Sequence, residues 1–164
     1  MTSTTFPLTV QFDLHTRLFN NALDGISDEV SNKRGTEQIN NMKWIAGHIL
    51  NTRVNFLTHV TGGKADDSFV PLFGRGNSFN PDTNYPPISE LTAKWNEASG
   101  AVSEGLSKLP EDVLDSTAPF QGPIEDTSLR GLLAFLISHE AYHIGQLSLL
   151  RRMAGQEAMS YKIQ

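Results

Sequence analysis

The stretch LLAFLISHEAYHIGQLSLL, residues 132–150, decides the fold. At about 100° per residue, with Leu132 at zero, Leu136 falls at about 40°, His139 at about -20° and His143 at about 20°. Gln146 falls at about -40° on the same scale and Leu150 returns to about 0°. Two imidazoles four residues apart therefore stand one above the other in the centre of an apolar helical stripe, with Gln146 one turn on. A buried polar group costs about 1–3 kcal/mol when left unpaired. From this helix alone, a bidentate metal site and a hydrogen-bonded core pair stand on equal terms. Glu140 lies about 80° round, on the shoulder of the stripe.

Three further segments carry helical periodicity. Residues 8–23 place Leu8, Phe12, Phe19 and Leu23 on one face, ended by Gly25. Residues 40–59 stop at Gly62-Gly63. Residues 88–109 carry Ile88, Leu91, Trp95, Val102 and Leu106 up to Pro110. The last helix runs to about Met153, with Asp126 or Thr127 as its expected cap and Gly155 beyond its end. Four amphipathic segments predict an all-α four-helix bundle, one domain over residues 1–164. Residues 62–87 and 110–127 are long Gly/Pro-rich connections. The first of them reads equally as a lid over a site or as a plain connector.

The second helix has an unusually polar inner face. Relative to His48, the wheel places Asn41, Trp44, Thr52, Asn55 and His59 within about 40°. That pattern suggests a wet cavity. His48 and His59 lie roughly 16 Å apart along the axis and cannot share an ion. His48, mid-helix, is the one placed to join His139 and His143, giving an open three-imidazole site. His59 reads as a helix-end residue favoured by the dipole. His15, between Phe12 and Phe19, admits three readings: a pocket wall, a fourth ligand, or by default a core histidine bonded to a carbonyl.

Composition excludes several functions. The 164 residues carry a net charge of -5 and no cysteine. Disulfides, thiolate metal sites and a cysteine nucleophile are excluded, so any thiol chemistry needs a thiol brought on a small molecule. No basic footprint for nucleic acid appears, and Arg151-Arg152 reads as a dipole-complementing helix end. No membrane-length apolar run and no signal-peptide pattern appear, which predicts a cytoplasmic protein.

Two motifs carry a family resemblance. Trp44-Ile45-Ala46-Gly47-His48-Ile49 and His139-Glu140-Ala141-Tyr142-His143-Ile144-Gly145-Gln146, followed by Arg151-Arg152, resemble the DinB/YfiT-like superfamily of metal-binding bundles. The resemblance implies His48, His139 and His143 as ligands of a divalent transition ion, nickel or zinc. It also implies non-sequential helix order, a long crossover and a homodimer. Its members include transferases of low-molecular-weight thiols, metal-dependent hydrolases and proteins without assigned activity. The expectation is a metal-dependent enzyme acting on a small molecule, with thiol transfer ahead of hydrolysis and a non-catalytic metal or ligand carrier as the remaining reading. His15, Trp44, Asn55 and Gln146 are the expected pocket residues. His139-Glu140-x-x-His143 also fits the zincin pattern, although nothing else suggests a protease. Glu140 is accordingly the candidate general base; otherwise it orients a ligand or binds an arginine on a neighbouring helix.

Overall fold

The computed structural model describes residues 5–162, apart from the side chain of His59. The expectations for His59 and for residues 1–4 lie outside these described residues. Helix α1 (Phe6–Leu23) has Pro7 in its first turn and buries Phe12, His15, Leu18, Phe19, Ala22 and Leu23. Gly25, at φ 70°, supplies the left-handed turn after it. A short α2 (Asp28–Asn32) follows. Helix α3 (Met42–Asn51) begins later than the periodicity suggests, because Asn41 is its cap and accepts the Trp44 N–H at 2.8 Å. Asn41 is thus taken from the inner polar stripe.

The α3 helix runs on through a π-helical stretch, Thr52–Leu57, into α4 (Thr58–Val60). A 3-10 turn leads into α5 (Val70–Phe73). Helix α6 (Ile88–Lys108) and the single-turn α7 (Glu111–Leu114) precede α8 (Leu129–Met153). Ser128, not Asp126 or Thr127, caps α8, accepting the Gly131 N–H at 3.1 Å. Asp126 instead accepts the N–H of Ser128 at 2.8 Å, from two residues before the cap. No β-strand forms among the described residues; a lone bridge joins Thr117 to Ser128.

Helix α1 packs on α6 and α8, and α3 packs on the same two, so α1 and α3 are diagonal. The core divides into two apolar clusters. One holds Phe19, Ile49, Trp95 and Ile144; the other holds Phe12, Leu57, Val102 and Leu136. The order in which each helix meets these clusters gives its direction. α1 and α8 run one way, the α3–α4 run and α6 the other. Neighbours α3 and α6 are therefore parallel, and residues 61–87 must travel back along the bundle to join them. This is the crossover. Arg151, expected as a dipole partner, is buried and donates to the carbonyls of Ala22, Asp24 and Glu157, tying the end of α8 to the α1 turn.

Candidate metal centre

Between the two apolar clusters lies a polar layer drawn from all four long helices. Arg53, in the π-helical stretch, is wholly buried. Its Nε donates to Glu140 Oε1 at 2.7 Å and its Nη2 to Oε2 at 3.0 Å. Nη1 donates to Thr16 Oγ1 at 2.8 Å and Ser99 Oγ at 2.6 Å, and Nη2 also reaches the Phe12 carbonyl at 3.0 Å. Every N–H of the guanidinium has an acceptor, and its central carbon lies 3.7 Å from the Trp95 ring centre. His15 Nδ1 lies 3.1 Å from Glu140 Oε2. Burial pushes the Glu140 carboxyl upward, but Arg53 and His15 outweigh it and hold the group below the ordinary carboxylate range.

His48, His139 and His143 form a separate cluster toward the surface, with one ring nitrogen of each lying within 4.8 Å of the others. Tautomers follow from their partners. The Phe73 carbonyl can only accept, so His48 Nδ1–H donates to it at 2.7 Å and leaves Nε2 bare. His143 Nδ1 donates to Gln146 Oε1 at 2.7 Å, while Gln146 Nε2 donates to the Tyr142 hydroxyl at 3.1 Å. His139 Nε2 stands 3.2 Å from His48 Nε2, and its buried Nδ1 has no partner. Burial, together with the neighbouring imidazoles, lowers His139 to about 4. Burial likewise lowers His143 to about 4, against the Gln146 bond, which raises it. Burial also lowers His48, partly opposed by the Phe73 carbonyl.

This donor set fits a divalent transition ion. The rings are held neutral, and two of them have Nε2 freed by a hydrogen bond at Nδ1. The 3.2 Å gap between two facing nitrogens matches the edge of a tetrahedron with metal–nitrogen bonds of about 2.0–2.1 Å.

Two cavities flank the cluster. The smaller, about 240 Å³, is walled by Asn51, Thr52, Phe56, Phe120, Phe135 and Leu136 and touches His48 and His139. The larger, about 500 Å³, is walled by Trp44, Asn40, Asn77, Tyr142 and Gln146 and touches His48 and His143. His48 and Arg75 line both.

A sequence profile matches residues 11–147 and is that of the DinB superfamily. The chain belongs to the DinB superfamily. A crystal structure of a conserved protein from Enterococcus faecalis shares this DinB-type fold, with a TM-score of 0.72 at 12% identity. That alignment covers 94% of this chain and 98% of the other. No curated protein matches the sequence.

The DinB-type bundle brings Trp44 and Gln146 to the larger cavity, while His15 and Asn55 line neither. His15 belongs to the polar layer instead. Asn55 is displaced by the π-helical stretch, where each residue advances by less than the α-helical angle, so Phe56 takes the inward place. Glu140, expected at the site as a base, is fully buried; both its oxygens are engaged by Arg53 and His15, and it lines neither cavity. The connection over residues 62–87 contributes the Phe73 carbonyl and Arg75.

Sequence reasoning singled out neither Arg53 nor Arg75. An arginine inside a helix that is otherwise buried, opposite a carboxylate on another, was the available signal for Arg53. For Arg75 the signal was its place between Gly74 and Gly76 in the crossover.

Proposed function

We propose that this protein is a metal-dependent transferase that joins a low-molecular-weight thiol to an electrophilic small molecule. The supporting observation is that two cavities of different character both open on His48. One metal centre thus has room for two reactants. His48, His139 and His143 would hold a divalent ion, which when bound would supply Lewis acidity favouring the thiolate form of an incoming thiol. The Phe73 carbonyl and Gln146 fix two of the ligating rings. Trp44, stacked on His48 at 5.0 Å between ring centres, holds that ring from the side of the larger cavity. Phe56 and Phe120, 4.6 Å between ring centres, give the smaller cavity an aromatic wall. The chain has no cysteine of its own to compete for the electrophile.

Hydrolysis is the weaker reading, because Glu140, the expected base for a water nucleophile, is consumed by Arg53 in the core. The test is metal analysis followed by a thiol-consumption assay with an activated aryl chloride and a panel of small thiols. Expected are about one divalent ion per chain, loss of that ion in His48→Ala/His143→Ala, and thiol loss only in metal-loaded protein. Metal-dependent ester or amide cleavage with no thiol requirement would reverse the assignment.

A further inference from the structure

Among the described residues no carboxylate lines the two cavities, and Arg75 is the only permanently charged residue that lines either. This is notable in a chain with 18 acidic residues and a net charge of -5. Arg75 is exposed, and among the described residues no side chain pairs with it. The one carboxylate on the histidine helix at this level, Glu140, is neutralised inside the core. With three neutral imidazoles, the charge the protein itself places at the cavities is the Arg75 guanidinium, to which a bound divalent ion would add.

Three buried polar atoms beside the cavities are also unpaired. Trp44 Nε1, Asn51 Oδ1 and His139 Nδ1 have no hydrogen-bond partner, and all three residues line these cavities. Buried polar atoms are almost always satisfied by protein, water or ligand. Asn51, which lines the smaller cavity, is 4% exposed, so its unpaired amide oxygen is not a solvated surface group. Thr52 and Gln121 add two polar side chains, and Phe56, Phe120, Pro123, Phe135 and Leu136 make the apolar part of that wall. An apolar cavity of about 150 Å³ holds a benzene ring; this one, at about 240 Å³, has room for a larger aryl group.

We infer that the electrophilic substrate is an aryl compound bearing an anionic substituent, its ring in the smaller cavity and its anion on Arg75. The inference rests on the two-reactant reading above and assigns Arg75 as the residue that sets substrate charge. Arg75 lies where the cavities meet, so an anion there orients the ring with one end toward the histidines. The aromatic wall supplies affinity, and the guanidinium selects.

The test is direct binding to zinc-loaded, full-length protein, which needs no turnover. Naphthalene-2-sulfonate is compared with methyl 2-naphthyl sulfone, a neutral compound with the same ring, by titration calorimetry or ligand-observed NMR. Sulfonate is a poor metal ligand, which keeps the readout on the protein. Expected is tighter binding of the sulfonate. Arg75→Gln then loses roughly fivefold for the sulfonate, as suits a partly exposed ion pair, with no change for the sulfone. Phe120→Ala weakens both. Arg130→Gln, which removes the same charge outside the cavities, changes neither. Equal binding of the two probes, an equal sulfonate loss in Arg130→Gln, or no binding of either probe overturns the inference. Because thiol consumption is measured separately, thiol transfer that persists while Arg75→Gln leaves sulfonate binding unchanged refutes the charge assignment and not the activity.

Discussion

The Arg53–Glu140 pair should behave as a single unit whose halves cannot be removed separately. Both side chains are wholly buried and the closest contact is 2.7 Å. Replacing Arg53 by Met keeps the unbranched stem of the side chain but leaves Glu140 with only His15. An uncompensated buried charge costs about 3–5 kcal/mol. For a chain of this size that corresponds to a fall in Tm of about 10–15 °C. Glu140→Leu strands the guanidinium in the same way, at a similar cost. The double variant Arg53→Met/Glu140→Leu removes both charges, and with them both desolvation penalties. It should be no less stable than the worse single variant, giving a coupling energy of about 3 kcal/mol.

The assay is urea denaturation of metal-free protein, followed by circular dichroism, on all four members of the cycle. Additivity within about 0.5 kcal/mol, or a loss below about 1 kcal/mol in Arg53→Met, would refute the reasoning. A second readout separates this layer from the metal centre. The Phe73 and Gln146 contacts to the histidines are untouched by the double variant, so it should still take up zinc with unchanged stoichiometry. Loss of zinc in the folded double variant would mean that Glu140 belongs to the site after all.

Further outcomes follow from particular residues. A Cβ on Gly47 would sit 2.3 Å from the Phe73 ring, whose residue also supplies the carbonyl to His48. Gly47→Ala should therefore destabilise by about 1–3 kcal/mol and weaken zinc binding. Gly145→Ala meets nothing within 4 Å and should stabilise α8 by about 0.5–1 kcal/mol; both are read by denaturation and zinc titration. The metal-free protein should lose stability as pH falls from 6.5 toward 4. His139 and His143 titrate at about 4 in the fold, mainly through burial, against 6.5 when unfolded, so in that window the unfolded chain binds more protons. The combined effect is about 1–2 kcal/mol, reduced because both rings are partly solvated. It should vanish above pH 7, and a flat profile across the window, followed by urea titration, would contradict it. Ser128→Ala should cost about 1 kcal/mol through loss of the α8 cap, whereas Thr127→Ala should be close to neutral in the same assay.

The elements that repeat a local pattern were legible in the sequence, and those that depend on a change of pattern were not. The stripes around Leu132, Trp95 and Phe19 mark helices because each obeys one period along its length. His48, His139 and His143 are brought within reach because each lies on such a stripe. Asn55 and Phe56 exchange places because a wheel carries one fixed angle through residues where the helix widens. Glu140 was placed on the correct shoulder, yet its partner lies on a helix whose rotation that same widening controls. His15 was open to three readings because a histidine between two phenylalanines carries no sign of what crosses the core to meet it; the answer was a carboxylate. Arg75 depends on where a crossover of more than twenty residues passes over the bundle, and no periodicity records that.

The separation of the two polar centres accounts for features that neither explains alone. A carboxylate beside the histidines would raise their basicity and offset the charge of a bound ion. Helix α8 carries such a carboxylate at Glu140, next in sequence to a ligating residue. Arg53 removes it from the site by pairing with it in the core, at 2.7 Å and out of water. The pair ties α1, α6 and α8 to one guanidinium. One arrangement thus serves both ends. It holds three helices together across the core, and it leaves the cavities with no negative charge to repel an anionic reactant. Thiolates and anionic electrophiles are both drawn to such a field. Placing a carboxylate at the smaller cavity, as in Asn51→Asp, should therefore weaken aryl-sulfonate binding several-fold while tightening zinc. Weaker zinc binding in a folded Asn51→Asp protein would show that packing, and not charge, governs the site.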